Sequence, residues 1–448
     1  MKPIKKDVII IGAGLTGLVT AFYLKKKGKE VLVIDKNTWY GGAIRTWSEN
    51  GYTFESGPNT GTLSNYEIVE LFEDLSGCKL QVAKKEAYKR LILKKGVLHA
   101  LPSGFYSAVT TPLFTLKDKF RILLEPWRKR GIDPDESVAA LTSRRLGKSF
   151  LDYCVDPFIS GIYAGNPERL ITRYAMPKLY RLEQNYGSFV RGAIKKAKEP
   201  KTERDRKVSK QVFSVEGGLG NLVDSLVGEI GKDNIILGEK AEVSGSQNNW
   251  YISSLSGSYI TSGIISTVGA HALPEVFPFV PSGLMDRLNN LEYARVVQVS
   301  VGLSTVKNID FHAFGALIPH LENRNILGVL YPSACFDGRC SSDKVILSVF
   351  MGGTKHPGLI DLPDEELKKM VIDELEAVYH FMPAPDYIKV FKHHHAIPQY
   401  GKNTGERLEA IDEFHRLYPG IMLAGNMRNG IGMADRVKQA VDIANSYP

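Results

Sequence analysis

Cysteine is scarce in this 448-residue chain: there are four, Cys78, Cys154, Cys335 and Cys340. None forms a C-x-x-C pair, so the common zinc and dithiol spacings are absent and free thiols in a reducing compartment are expected. No apolar run reaches 18 residues, which excludes a spanning helix of ordinary length and leaves any membrane contact peripheral. No stripe of basic residues is interleaved with aromatics, so no nucleic-acid partner is expected. No Ser-His-Asp or Cys-His arrangement stands out, and no residue presents itself as a general base. The triplet His393-His394-His395 has no carboxylate at a telling spacing. Adjacent side chains on a strand point to opposite faces, so no metal site is expected there. Charge of one sign is not dominant: 57 Lys and Arg against 49 Asp and Glu give a net +8. That mild excess suits acidic ligands or an anionic membrane surface, and equally ordinary solubility.

What is present is a pattern of buried strands and glycine-rich turns. Val8 to Ile11 is a continuous apolar run, as in a parallel strand covered on both faces. Leu15, Leu18, Val19 and Phe22 then recur at helical spacing, and Gly28 follows as a stop. Val31 to Ile34 is a second buried strand ending at Asp35, completing a βαβ opening. Tyr88 to Leu93 and Val97 to Leu101 read as a strand pair, followed by a helical region to about Lys198. Lys195 to Lys210 carries eight basic residues against three acidic ones and reads as a solvated linker or exposed loop. The chain ends in a strand, a glycine-rich turn and a helix, with Met433, Val437, Ala440, Val441 and Ala444 on one face.

Three glycine-rich segments carry chemistry. Gly12-x-Gly14-x-x-Gly17 follows a strand and opens a helix. Gly12 permits the tight turn, Gly14 lets a pyrophosphate approach the backbone, and Gly17 allows close helix–strand packing. The helix start, with Leu15 and Thr16, offers free N–H groups and partial positive charge to phosphates. Asp35 lies 18 residues past Gly17, with Lys36 beside it, placed to accept hydrogen bonds from an adenosine ribose. Next comes Gly41-Gly42-Ala43-Ile44-Arg45-Thr46. A glycine pair there lets the chain pass under a phosphate, and Arg45 supplies positive charge. The third segment, Gly425-Asn426 and then Gly430-Ile431-Gly432-Met433-Ala434-Asp435, opens the last helix as a second glycine-rich helix N-terminus.

The second and third segments resemble the double-glycine motif and the C-terminal flavin segment of the FAD-dependent amine oxidase superfamily. Ala43 stands where that pattern often has Arg, whereas Arg45 and Thr46 match. Within the superfamily the chain resembles the protoporphyrinogen oxidase family over most of its length. The resemblance rests on Phe54-Glu55-Ser56-Gly57-Pro58-Asn59, on Lys89-Arg90-Leu91-Ile92 through Leu101-Pro102-Ser103, and on Leu124-Glu125-Pro126-Trp127. It continues through Leu182-Glu183-Gln184, Ile265-Ser266-Thr267-Val268 and Ala396-Ile397-Pro398-Gln399-Tyr400. Its most specific part is Asp156-Pro157-Phe158-Ile159-Ser160-Gly161-Ile162-Tyr163-Ala164-Gly165-Asn166-Pro167.

The resemblance implies an FAD cofactor, with Gly57 and Pro58 near the flavin and the Val243 backbone at the adenine. It implies a porphyrinogen substrate, a large apolar macrocycle bearing ionised propionates. Arg90 matches the position that pairs with a propionate, which a guanidinium grips through two parallel hydrogen bonds. Phe336 resembles an aromatic stacked on a pyrrole, Leu317 an apolar wall, and Asn59 and Gly161 line the site near the flavin. On the residues alone, Arg90 reads more readily as a surface or strand-edge charge, and Phe336 and Leu317 read equally as core. The implied reaction passes a hydride to the flavin and loses a pyrrole proton, with oxygen restoring the flavin and yielding hydrogen peroxide. Three such cycles give the aromatic porphyrin. Protoporphyrinogen IX is the expected substrate and coproporphyrinogen III, with four propionates instead of two, the alternative. An amine oxidase, a carotenoid desaturase or a non-catalytic carrier on the same fold are more distant.

The expected fold is α/β: a Rossmann-type FAD-binding domain from 1–77, 211–270 and 392–448, a helical lobe over 78–210, and a substrate-binding sheet over 271–391. Thr115 to Arg130 mixes apolar and basic residues in one helical region. That suits a bilayer interface, as the family resemblance also implies, or a core-packed helix with basic ends. The expected partners are a porphyrinogen, molecular oxygen, an anionic membrane surface and a second copy of the chain. The expected location is cytoplasmic, peripheral on the inner face of the cell membrane.

Overall fold

In the computed structural model the chain is described over residues 3–200, 202–246, 249–304 and 310–448. Lys201, within the basic stretch Lys195 to Lys210, lies outside these ranges.

Val8–Ile11 is buried along its whole length because none of its four side chains is polar. It pairs in parallel with Val31–Asp35 on one side and Gly263–Ser266 on the other. Ile235–Leu237 and Ile421–Leu423 complete a five-stranded parallel sheet. Strands from the first, middle and last parts of the chain thus share one sheet. Helices Leu15–Lys26, Gly220–Ile230 and Met433–Ser446 supply Leu18, Leu226 and Val437 to the core on one face. Trp250, Phe277 and Phe414 fill the core on the other.

A second, seven-stranded sheet runs in the order Tyr387–Pro398, Tyr293–Leu303, Val345–Gly352, Ile326–Leu330, Gly315–Leu317, Arg90–Lys94 and Val97–Ala100. Its pairs are antiparallel except Gly315–Leu317 with Arg90–Lys94. The helix Asp364–Tyr379 covers one face through Leu367, Val371 and Leu375. The strand pair expected within 78–210 therefore forms the edge of this sheet, and Tyr387–Pro398 runs across the expected boundary at 391/392. Between Thr110 and Pro200 the chain is helical apart from its connections.

Two local expectations are corrected. Thr115 to Arg130 is not one helix. It is a helix at Leu116–Leu123 and a 3-10 turn at Glu125–Trp127, interrupted where Pro126 removes a backbone donor and Glu125 turns inward. Glu125 is fully buried, ion-paired with Arg145, and accepts from Ser188 Oγ at 2.6 Å and Phe189 N at 2.9 Å. The basic stretch is not simply a solvated linker. Thr202 caps a short helix at Glu203–Arg206, and Arg204 and Lys207 pair with Glu70 and Glu73 of the helix Tyr66–Asp74.

The first glycine motif has a sharp steric test. A Cβ at Gly17 would lie 2.0 Å from Gly12 O, a backbone atom that cannot step aside. Gly17→Ala is expected to lower stability by about 1–3 kcal/mol, the usual cost of overpacking. A thermal melt of the cofactor-free protein checks this, and an unchanged midpoint would contradict it.

Candidate active site

The three glycine segments converge on one place. Gly12 sits at φ +109°, and its N–H donates to Ile34 O at 2.8 Å. Thr267 Oγ1 donates to Ile11 O and Gly12 O at 3.2 and 3.1 Å. Gly425, at φ +84°, packs so closely on the same residue that a Cβ would meet Thr267 O at 2.7 Å. Gly41 N donates to Ala13 O at 2.7 Å, and a Cβ at Gly42 would approach Gly14 Cα to 3.2 Å. The side of Gly14 itself is open: a Cβ there would have no protein atom within 4 Å beyond its own chain neighbours and helix. The helix behind it starts at Gly14 with no side-chain cap and no acid in its first turn, so the N–H groups at Leu15, Thr16 and Gly17 would meet an anion unopposed.

Asp35 anchors this cradle. Its Oδ2 accepts from Ala13 N at 2.7 Å and its Oδ1 from Asn37 N at 2.8 Å. Oδ1 also accepts from Asn37 Nδ2 at 2.9 Å, so it is Oδ2 that retains a lone pair for a ribose. Lys36 beside it is exposed. Val243 is buried on Glu242–Ser246, an edge strand whose outer backbone groups have no strand partner among the described residues. Gly57 lies against the double-glycine segment, with half-buried Pro58 following it: Ser56 N donates to Arg45 O at 2.9 Å, and a Cβ at Gly57 would lie 2.0 Å from Ala43 O. At the third segment, Tyr400 OH donates to Asn426 O and Gly430 O at 2.8 and 3.0 Å. Gly432 caps the last helix, where Met433 and Ala434 are buried. Buried Arg436 holds the turn by donating to Gly425 O, Arg428 O and Asn429 O. An open glycine cradle, two uncapped or glycine-capped helix starts and a guanidinium at Arg45 with no ion-pair partner among the described residues fit a dinucleotide with a flavin at its far end.

Thr46 does something else. Its hydroxyl donates to Glu55 Oε2 at 2.6 Å and accepts from Gly220 N at 2.8 Å. Glu55, present in a family-like motif but given no role by sequence reasoning, is buried and accepts from Leu219 N at 2.8 Å and Arg339 Nη1 at 3.2 Å. Burial pushes its carboxyl above the usual range, against the pull of the Arg339 guanidinium.

The expected substrate residues divide. Gly161 and Leu317 are brought together, since a Cβ at Gly161 would lie 2.6 Å from Leu317 Cδ2. Phe158, Gly161 and Ile162 share one face of the helix Asp156–Tyr163 and are exposed. Phe158 and Ile162 belong to the most specific family-like run, yet nothing in the sequence alone gave them a role. Asn59 is buried: its Nδ2 donates to Gly57 O at 3.0 Å and its Oδ1 accepts from Ser348 Oγ at 2.8 Å. Arg90 is exposed at the start of its strand, its guanidinium 5.3 Å from the Phe314 ring centroid. Phe336 is not an open stacking surface. It is 2% exposed and packs with Ala83, Ala87, Val212 and Cys335. Phe314 is the half-buried ring on this wall, packed against the Phe336 cluster beneath Arg90. Gln399 Nε2 donates to Tyr163 O at 2.9 Å, so the helix bearing Gly161 is tied through Gln399 and Tyr400 to the third glycine segment.

The flavin containing amine oxidoreductase family matches residues 15–442. Protoporphyrinogen oxidase 2 of Arabidopsis thaliana is 30% identical, over 99% of this chain and 94% of the relative. Coproporphyrinogen III oxidase of Bacillus subtilis (strain 168) is 24% identical, over 99% of this chain and 98% of the relative. A crystal structure from Exiguobacterium sp. 255-15, of a protein provisionally named a protoporphyrinogen oxidase, superposes with a TM-score of 0.82 at 21% identity, over 100% and 99% of the two chains. The chain belongs to the flavin-containing amine oxidoreductase family, within which it resembles the protoporphyrinogen oxidases; it is an oxidoreductase, and its cofactor is FAD.

His393, on the strand Tyr387–Pro398, has Nε2 2.6 Å from Ser56 O, a distance that requires it to be the donor. Burial holds this imidazole below its ordinary value of 6.5, opposed by the bond to Ser56. Between the native and unfolded values the unfolded chain binds more protons. The stability from His393 is therefore complete above the unfolded value and lost as pH falls toward the native one. His393→Asn is expected to flatten part of the fall in thermal midpoint between about pH 7 and pH 5. Identical slopes in both proteins would contradict this.

Proposed function

We propose that this chain oxidises protoporphyrinogen IX to protoporphyrin IX with molecular oxygen as acceptor, forming hydrogen peroxide, as a step of haem biosynthesis. The observation that carries the reading is a wall with two chemistries. An exposed apolar face at Phe158, Gly161 and Ile162 lies over Leu317, and Arg90 stands over Phe314 on the neighbouring strand. An apolar disc with carboxylates on its rim is the ligand such a wall suits. Bound FAD supplies the two-electron acceptor, and removal of six hydrogens requires three turnovers and three molecules of oxygen.

The protein's contribution is position. Arg90 grips a propionate and fixes how the ring is turned. Phe158, Ile162 and Leu317 cover its face and displace water. The tether from Tyr163 through Gln399 and Tyr400 keeps this helix in register with the flavin end of the cofactor cradle.

A second reading, coproporphyrinogen III, draws support from the full-length likeness to the Bacillus subtilis enzyme. Four propionates call for more cations. Two lysines near Arg90 face acids of their own: Lys84 meets Asp337 at 2.5 Å and Lys89 meets Asp310 at 3.9 Å. That arrangement favours the substrate with two.

Membrane contact is the second part of the proposal. Among the described residues no helix is long and apolar enough to cross a membrane. Yet no residue of the helix Leu116–Leu123 is buried. Leu116, Phe120, Leu123 and Trp127 are between 63% and 73% exposed, among Lys117, Arg128, Lys129 and Arg130. Large apolar side chains mixed with basic ones fit the interface of an anionic bilayer.

Anaerobic mixing of the yellow holoprotein with each porphyrinogen tests the first part. Fast bleaching with protoporphyrinogen IX, then porphyrin fluorescence on admitting air, is the expected result. Bleaching with coproporphyrinogen III alone would transfer the assignment, and bleaching with neither would overturn it. Arg90→Met is expected to lower kcat/KM about 10- to 100-fold, mainly through kcat, the scale of a misplaced reacting centre, because a ring without that contact is misoriented more than it is released. For the second part, the protein is expected to float with vesicles containing anionic lipid and to lose this on Phe120→Glu with Trp127→Glu. Equal flotation of wild type and variant would remove this surface from the proposal.

A further inference from the structure

The double-glycine segment contains one charged side chain, Arg45, and its surroundings are unusual for an arginine. Its guanidinium carbon lies 4.6 Å from the centroid of the Trp39 ring and 4.8 Å from that of Trp47. The acids on the two adjoining strands are committed elsewhere. Glu49 accepts from Tyr387 OH at 2.7 Å and Lys389 Nζ at 2.5 Å, and Glu55 is held by Arg339 and Thr46. Among the described residues Arg45 has no ion-pair partner. Two indoles take the place that a carboxylate would occupy.

The chemistry of that exchange is specific. A carboxylate would use the N–H donors of the guanidinium and cancel its charge. An aromatic ring attracts the cation through its face and leaves the donors, which radiate in the plane of the group, unused. Ring contact therefore fixes the direction of a long side chain while keeping its charge and hydrogen bonds available. Both indoles are themselves held. Trp39 Nε1 donates to Gly42 O at 3.2 Å, tying its ring to the glycine turn. Trp47 has Lys389 Nζ 3.9 Å from its centroid and the Phe391 ring 5.9 Å away. The buried Nε1 of Trp47 has no hydrogen-bond partner among the described residues, a second unused donor beside Arg45.

We propose that Trp39 and Trp47 are positioning residues for FAD binding: they hold the Arg45 guanidinium, uncancelled and with its donors free, for an anionic phosphate of the dinucleotide. The inference rests on the assignment of Arg45 to the cofactor, and it adds two residues that neither glycine spacing nor the family resemblance identified. The turn that carries Trp39 is bonded to the Gly14 loop through Gly41, so the clamp and the open glycine cradle move as one piece.

The test is the dissociation constant of FAD, measured by titrating FAD into the deflavinated full-length protein and following flavin fluorescence. The variants are Trp39→Leu, Trp47→Leu, Trp47→Phe and Arg45→Met, singly and in Trp–Arg pairs. Arg45→Met is expected to weaken FAD binding at least tenfold. Each Trp→Leu change is expected to weaken it three- to tenfold, and Trp47→Phe less than Trp47→Leu, because a phenyl ring keeps a face for the cation. In the Arg45→Met background the Trp changes are expected to add nothing. If Arg45→Met leaves the affinity unchanged, the assignment of Arg45 fails and the clamp with it. If Arg45→Met weakens binding but both Trp→Leu variants match wild type, the clamp alone fails. If the Trp changes weaken binding as much without Arg45 as with it, the rings act only as packing and the proposal is overturned. Thermal midpoints of the deflavinated variants separate these outcomes from loss of fold.

Discussion

One buried carboxylate fixes where the two sheets of this protein stand relative to each other. Glu55 is 2% exposed, and a charge placed there without partners would be strongly destabilising. Its partners come from four separate places. Thr46 belongs to the double-glycine segment, Leu219 opens the helix Gly220–Ile230 of the nucleotide-binding sheet, and Arg339 follows the helix Pro332–Cys335 of the second sheet. Gln298, on the strand Tyr293–Leu303, donates to the Glu55 carbonyl at 2.7 Å. Arg339 is buried as well and is satisfied in part by Ser214 at 2.6 Å. Moving either sheet alone would leave a buried charge or donor exposed to nothing, so the cofactor cradle and the proposed substrate wall are set in one geometry. A flavin oxidase needs that: a hydride passes only between atoms held in contact.

What the sequence discloses follows from how local each feature is. The glycine turns were legible because the steric demand is carried by the glycine itself. Positive φ at Gly12 and backbone contact at Gly17 need no knowledge of distant chain. The buried strands were legible because an unbroken apolar run has few other uses. Family membership was legible because the run from Asp156 to Pro167 is long and its composition unusual. The failures are mostly non-local. Phe336 is core because Ala83, Ala87 and Val212 close over it, and those residues come from elsewhere in the chain. Thr46 is turned to Glu55 by a strand pairing that no spacing announces. The helical region expected through Arg130 is broken by Pro126, a local signal, and by Glu125 turning inward to meet Arg145, twenty residues on. Asp35 was placed correctly at its strand end, but its grip on Ala13 appears only when strand and loop are folded together.

The same distinction governs the proposed substrate wall. Arg90 was found by matching a motif, while its neighbour Phe314 was not, because a phenylalanine beside a strand edge has no sequence signature of its own. Yet the two act together. An exposed arginine on a strand edge swings widely, and an aromatic face 5.3 Å from its guanidinium restricts it without neutralising it. Arg45 stands in the same relation to Trp39 and Trp47. At both sites the cation has aromatic rings for neighbours and, among the described residues, no ion-pair partner.

That economy bears on how a porphyrinogen would be read. A solvent-exposed guanidinium–carboxylate pair adds little net affinity, since both groups are already well solvated. Apolar area removed from water returns about 25 cal/mol per Å², and a macrocycle laid on Phe158, Ile162 and Leu317 removes a large area. On this reading the apolar face supplies the affinity and Arg90 the orientation. A ring free to rotate on an apolar wall would present its rim at random. A ring pinned by one propionate presents a chosen edge, and it must turn between successive oxidations if three are to occur at one flavin. A single cation at the wall permits that turning, because one propionate can be released and another taken up; a ring of cations would lock the macrocycle after its first oxidation.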